Sequence, residues 1–258
     1  NFMLSPDGIV AVLDWEVAHV GDPMRDLGWM CTNSWRFGAS DPVGGFGQYE
    51  DMFKGYEDES GKTVDPEHVK FWEVFGSFWW SVGCLGMAEH YRSGPDRTVE
   101  RPAIGRRTSE CQVDCVNLLI PGPVEIVKES SGFSSVDIPR TDELLVSVRD
   151  FLRNDVMDET TGRANFLSRV AANSLDIVLR ELTLGPIHQA LELGRLQALF
   201  QSDEGLDVLK RRLVTELRDK QISLDNEVLQ NHLRQTVVNQ VAIDQPKYSG
   251  FKNALDNA

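Results

Sequence analysis

The sequence is short of cysteine, basic charge and long apolar runs, and each shortage excludes something. Its four cysteines (Cys31, Cys84, Cys111 and Cys115) form no C-x-x-C pair, and no histidine lies near them at zinc-ligand spacing. That argues against a disulfide scaffold or a structural zinc site, and for reduced, semi-buried thiols in a cytoplasmic protein. Lysine and arginine total 26 against 40 acids, a net charge of −14. A chain this acidic repels phosphate backbones and anionic membrane surfaces, so neither nucleic acid nor membrane is expected as a partner. No stretch reaches the ~18 apolar residues of a membrane span. The nearest, "FGSFWWSVGCLGMA" (75–88), is broken by Gly and Ser and reads as a buried core helix. There is no signal peptide and no initiator Met, and the expectation is that Asn1 marks a domain cut.

What is present divides in two. Residues 1–120 hold all six tryptophans and all four cysteines; residues 139–258 hold neither. The intervening 121–138 is rich in Pro, Gly and Ser and is expected to be a linker. With 258 residues, two modest domains are affordable. The expected fold is mainly α: a short β-hairpin plus helices in the first part, then an all-α helical bundle. In the second part apolar residues recur at helical spacing, with Gly185-Pro186 expected to end one helix and a polar tail from Asp244 expected to be irregular.

The chain opens "NFMLSPDGIVAVLDWE". Pro6, Asp7 and Gly8 are strong turn formers between two apolar runs, which predicts a hairpin. If Leu4 faces Ile9, Asn1 faces Val12, and Asp14 lies two residues further along, roughly 7 Å at strand rise. An amide oxygen and a carboxylate at one open end are hard ligands that suit Mg²⁺. Glu16 has the parity to join them if the strand continues. Strand ends also collect such residues as turn formers, so geometry alone leaves both readings open. Next, "GDPMRDL" reads as a helix start, with Asp22 as N-cap and Pro23 at the first helical position. Asp65-Pro66-Glu67 repeats that pattern. Further helices are expected near 46–58, 66–92 and 99–119.

Asn1, the hairpin, "LDWE" and "GDPMRDL" together resemble the aminoglycoside phosphotransferase-like kinases, which include choline kinases and share the protein-kinase-like fold. The resemblance covers roughly 1–120, the later part of a kinase C-lobe. It implies ATP as co-substrate, Mg²⁺ as cofactor, and a γ-phosphate transferred to a hydroxyl of a small molecule. Asn1 and Asp14 match the family's metal-binding Asn and Asp, Glu16 its second acid, and Asp22 and Asp26 the supporting acids of G-D-P-x-x-D-L. The family's general-base Asp would precede Asn1 by five residues, and its phosphate-covering loop and ATP-pairing Lys also lie outside this sequence. The 258 residues alone are therefore expected not to turn over ATP. "NSWRFG" and neighbouring stretches are similar to a bacterial subgroup, some of whose relatives are linked with acyl-CoA dehydrogenase-type proteins. A hydroxyacyl or CoA-linked acceptor is one option.

Trp35 and Arg36, with Trp29, Trp79 and Trp80, are candidates for a substrate wall; core packing is the alternative for the tryptophans. His19 is expected to be structural. Arg106-Arg107 is expected to cap an acidic surface, with anion binding as the alternative, and Arg169 and Asn173 to be a snorkelling Arg and an interhelix hydrogen bond, with a small polar pocket as the alternative. The second part resembles an uncharacterised helical domain found with such phosphotransferases. A non-catalytic binding or scaffold role through that domain is the alternative to catalysis.

Overall fold

A computed structural model describes residues 2–128 and 138–256. Asn1 and the central part of the expected linker lie outside the described residues. Strands β1 (Phe2–Ser5) and β2 (Gly8–Val12) form the hairpin, antiparallel. Gly8, at φ 122°, supplies the left-handed turn position. Leu4 pairs with Ile9 as expected, but a bulge between Met3 and Leu4 shifts the remaining register. Val10 is the extra residue, so Val12 pairs with Phe2 rather than Asn1.

Five helices follow in the first part: α1 (Met24–Cys31), α2 (Tyr49–Ser60), α3 (Pro66–Ser93), α4 (Glu100–Arg106) and α5 (Thr108–Leu119). The expected helix over 99–119 is interrupted at Arg107. Asp65 caps α3 by accepting the Glu67 N–H at 3.0 Å, with Pro66 in the first turn. Helix α1 lies against α3 so closely that a Cβ on Gly28 would sit 2.5 Å from the Trp72 Cβ. A core of Met24, Leu27, Cys31, Val43, Val64 and Val69 forms there. The "FGSFWWSVGCLGMA" stretch of α3 is not buried all round. Cys84 is fully buried against its neighbours, while Phe78, Val82 and Leu85 are exposed on the opposite side. The helix is apolar on more faces than its described neighbours cover.

The second part is helical, as the apolar spacing suggested. Helix α6 (Thr141–Asp150) runs through a π-turn (Phe151–Val156) into the short α7 (Met157–Glu159). Helix α8 (Gly162–Phe200) passes through Pro186 without ending, contrary to the expected break. An interior proline costs about 3 kcal/mol. Buried residues on both sides of it, Ile177 and Gly185 before and His188 and Leu196 after, hold the two halves of the helix in place. Helices α9 (Leu206–Arg218) and α10 (Glu227–Asp244) complete a core of Leu196, Phe200, Leu209, Leu213 and Leu229.

The tail is not irregular. Helix α11 (Ser249–Asp256) packs Ala254, fully buried, against Val113 and Val116 of α5, beside Val238 and Val241 of α10. One apolar core thus draws on helices from both sides of the stretch 121–138. The described start of that stretch is itself tied down. Asn239 donates to the Glu125 carbonyl at 2.9 Å and accepts the Val127 N–H at 2.8 Å. The buried Arg234 donates to the carbonyls of Gly122, Ile120 and Ala254 and to Asn117 Oδ1. No helix among the described residues is long and apolar enough to cross a membrane.

Candidate functional site

At the open end of the hairpin, β2 stops at Val12 and the chain turns through Asp14. Asp14 adopts a left-handed conformation, φ 70° and ψ 51°, and starts a 3₁₀ turn over Trp15–Val17. Aspartate is one of the few residues with a side chain that tolerates this region. The turn means the strand does not continue, so Glu16 does not inherit the side-chain parity of Asp14. Both acids are exposed. Trp15 donates its Nε1 proton to the Val12 carbonyl at 2.9 Å, folding the turn back on the strand. His19 contacts the Val17 carbonyl and Arg25, consistent with a structural role.

Asp22 does cap α1. Its Oδ1 accepts the Met24 N–H at 2.9 Å, and Pro23 already has helical dihedrals, φ −63° and ψ −23°. Its Oδ2 accepts from Trp72 Nε1 at 3.1 Å and lies 2.7 Å from His68 Nε2, tying the cap to α3. The Met24 N–H bond, with smaller help from Trp72 and His68, holds its carboxyl below the usual range. Asp26 is exposed in the first turn of α1, where a negative charge suits the helix dipole. No group of three or more His, Cys, Asp or Glu among the described residues converges as a metal cluster.

The substrate-wall residues separate. Trp35 packs between Trp29 and Trp80, with ring centroids 5.0 and 5.2 Å away, and Trp79 meets Trp29 at 5.5 Å. That is an aromatic cluster. Arg36 instead enters a polar cleft of about 60 Å³ lined by Asn33, Glu73, Ser77, Asp114, Asn117, Leu118 and Asn253, with no tryptophan and without Asp14. The Arg36 guanidinium donates to the Cys31 carbonyl at 2.5 Å and pairs with Glu73 at 3.0 Å. Tyr49 donates its hydroxyl to the other Glu73 oxygen at 3.1 Å. Burial raises the Glu73 carboxyl, and Arg36 and Tyr49 act against it.

Asp114 sits at the floor, 4% exposed. It accepts from Asn33 Nδ2 at 2.8 Å and from the Tyr248 hydroxyl at 2.6 Å. Burial pushes its carboxyl up to about 7 against those two bonds. Ser249 donates to Asn33 Oδ1 at 3.1 Å, and Asn117 to the Gly250 carbonyl at 2.7 Å. Sequence reasoning missed Asp114, Glu73 and Tyr248. The local signal of Asp114 and Glu73 is an acid placed among apolar helix positions, "CQVDCVNLL" and "FWEVF"; Tyr248 has none.

Arg106 and Arg107 pair with acids. Arg106 meets Glu181 and, at 2.8 Å, Asp244; Arg107 meets Glu110 at 3.0 Å. Arg169 and Asn173 are exposed. Arg169 reaches Asn165, and Asn173 accepts from Arg153 at 3.3 Å.

A mainly α chain with one short hairpin, a turn-held aspartate at the hairpin's open end and a capped helix after it are the features on which a phosphotransferase resemblance rests. Residues 1–60 match the family model described as the phosphotransferase enzyme family. Residues 158–248 match a domain of unknown function (DUF6285). No curated protein and no solved structure matches the chain. At the level of the family, the first match supports a kinase-like phosphotransferase.

Proposed function

We propose that the protein is part of an ATP-dependent phosphotransferase that moves the γ-phosphate to a hydroxyl of a small molecule. The observation that carries this reading is the match over residues 1–60, whose span contains both the hairpin and the capped α1. Asn1 and Asp14 would hold Mg²⁺, with Glu16 reaching it from the 3₁₀ turn after Asp14 and not by strand parity. The donor set fits that ion: hard oxygens from an amide and one or two carboxylates, leaving coordination positions for water and phosphate. When bound, the ion neutralises charge on the phosphates. The left-handed turn holds the Asp14 backbone at the hairpin's open end. Asp22 ties α1 to α3, and Asp26 adds negative charge at the start of α1.

The sequence contains no H-G-D motif, so the base that orients the acceptor hydroxyl is assigned to polypeptide beyond these residues, together with the nucleotide-covering loop and its lysine. Phosphoryl transfer depends on all of these being positioned together. The 258 residues alone are expected to be inactive. A small-molecule hydroxyl, hydroxyacyl or CoA-linked compounds among them, is the acceptor class, with an acyl-CoA dehydrogenase-type protein as a functional neighbour. The test is Mg·ATP binding by a chain carrying the remaining motifs. Asp14→Ala should weaken it at least tenfold, and unchanged binding would refute the metal assignment.

A second reading, a non-catalytic binding module, is favoured by one observation. Tyr248, inside the DUF6285 match, bonds Asp114 in the same cleft that Asn33 and Arg36 of the phosphotransferase match enter.

A further inference from the structure

The cleft has unused capacity of one kind. Its donors are largely spent within the protein: Asn33 Nδ2 on Asp114, Asn117 Nδ2 on Gly250, and Arg36 Nε and Nη2 on Cys31 and Glu73. Its acceptors are not. Each ionised carboxylate offers about four lone-pair sites, and Glu73 and Asp114 each accept two bonds. Asn33 and Asn117 each accept one on Oδ1. Ser77 is fully buried on α3 and lines the cleft, yet its Oγ has no partner among the described residues. A buried hydroxyl left unpaired costs about 1–3 kcal/mol, so the fold gains if something in the cleft bonds it. Charge points the same way. With Arg36 matched by Glu73, Asp114 is the surplus acid, and its bonded partners, Asn33 and Tyr248, are neutral. The volume of about 60 Å³ admits a few heavy atoms. Asn253, exposed on α11, stands at the mouth.

We propose that this cleft binds a small hydrogen-bond-donating monocation, an ammonium ion or a primary ammonium head group, in a site built jointly by the segments on either side of residues 121–138. Ser77 Oγ, Asp114 and Glu73 accept its protons, with the amide oxygen of Asn117 beside them. Tyr248 and Asn33 keep the Asp114 carboxylate aimed into the cleft. The occupant thereby joins α3, α5 and α11, so its binding should tighten the packing of the C-terminal helix. This inference stands apart from the Mg²⁺ and ATP assignments.

Asp114 must be ionised to hold the cation. The groups facing it are Tyr248, Asn33, Glu110 (itself paired with Arg107), Arg36 (paired with Glu73) and, on α5, the thiols of Cys111 and Cys115. Both thiols are kept protonated, Cys111 by its bond with Cys84 and by burial, Cys115 by burial, with the Asp114 charge adding to each. Occupancy should therefore fall with acid, by up to about tenfold per pH unit below neutrality.

The experiment is thermal unfolding of the 258-residue protein at pH 8 in ammonium chloride, methylammonium chloride, potassium chloride or tetramethylammonium chloride at matched ionic strength. Ammonium should raise the midpoint saturably where tetramethylammonium, which has no N–H donor, does not. Methylammonium acting like ammonium identifies a primary-amine head group, and ammonium acting alone identifies the free ion; either supports the site. Ser77→Ala should weaken the response about fivefold, one hydrogen bond's worth, and Asp114→Asn should abolish it. Should Asp114→Asn fail to fold, Ser77→Ala still decides, because in the protein it breaks no existing bond. Equal responses to ammonium and tetramethylammonium, equal responses to ammonium and potassium, or a full response in Ser77→Ala would overturn the proposal.

Discussion

Asp14 and Asp114 are the two aspartates for which ligand roles are proposed, and the protein holds them in opposite ways. Asp14 is exposed, and the backbone positions it through a left-handed residue at the end of a two-stranded ribbon. Asp114 is 4% exposed, and side chains from the 3₁₀ turn that follows α1 (Asn33) and from the residue before α11 (Tyr248) position it. An exposed acid can be addressed by a hydrated ion and its phosphates at little desolvation cost. A buried acid has already lost its water and favours whatever restores a proton or a positive charge. The difference predicts where substitutions hurt. Around Asp114 they should disturb folding; around the hairpin they should disturb binding alone.

The sharpest probe of that contrast is a pair of glycines. A Cβ on Gly250 would lie 2.4 Å from Asp114 Oδ1 and 2.8 Å from Tyr248 Cε1. Helix α11 would have to back away from α5, straining the Asn117–Gly250 and Tyr248–Asp114 bonds. Gly250→Ala should cost about 3 kcal/mol, from overpacking and weakened buried bonds together. Gly55, exposed within α2, has nothing within 4 Å of its Cβ position. Gly55→Ala should gain up to about 1 kcal/mol through helix propensity. Urea denaturation of the two variants measures both. A Gly250→Ala protein as stable as wild type would mean that the cleft is looser than its contacts indicate.

Buried titratable groups give the next effect, and two of them pull in opposite directions. The Asp114 carboxyl is raised from its ordinary 3.8 to about 7 by burial. The folded state therefore binds that proton more tightly than the unfolded one, and stability falls as pH rises from about 4 to 7. His232 is depressed from 6.5 to about 4, chiefly by burial and then by Arg195. Here the unfolded state binds the proton more tightly, and stability falls as pH drops from about 6.5 to 4, by at most about 3 kcal/mol. Stability profiles of Asp114→Asn and His232→Gln separate the two. The first should remove the loss toward neutral pH, the second the loss toward acid. Wild-type slopes surviving in both variants would assign the linkage to other groups.

The parts of this structure that were legible in the sequence are those set by neighbours in the chain. Asp22-Pro23 and Asp65-Pro66 announce helix starts because cap and proline act within one turn. Pro6-Asp7-Gly8 announces the hairpin for the same reason. Other features depend on distant residues. The Asp114–Tyr248 bond joins positions 134 apart, and no local pattern marks it. The tail "DQPKYSGFKNALDNA" looks polar because the residues of α11 that are buried are Gly250 and Ala254, with Tyr248 and Phe251 only partly buried against the same core. Two small residues and two isolated aromatics make no run of apolar spacing. Pro186 was misleading because local cost was weighed without the burial on both sides of it. The bulge at Val10 was invisible because either register leaves the same apolar residues on a ribbon exposed on most of its length.

That ribbon supplies the smallest effect. Ile9 and Val10 are 57% and 59% exposed, and the described helices make few contacts with either strand. A two-stranded hairpin on its own is marginal in water, so its apolar side chains contribute little to the stability of these residues. Ile9→Thr keeps the β-branched shape and the strand preference while removing apolar surface. It should move the urea midpoint by no more than about 0.5 kcal/mol, as exposed substitutions do. The same change in a chain that also carries the remaining kinase motifs tests whether the hairpin is covered there. A loss of about 1–2 kcal/mol, the scale of burying such a side chain, would show that the hairpin gains its packing from that polypeptide. A large loss in the 258 residues themselves would break the contrast between Asp14 and Asp114, because the hairpin would then be part of a packed core.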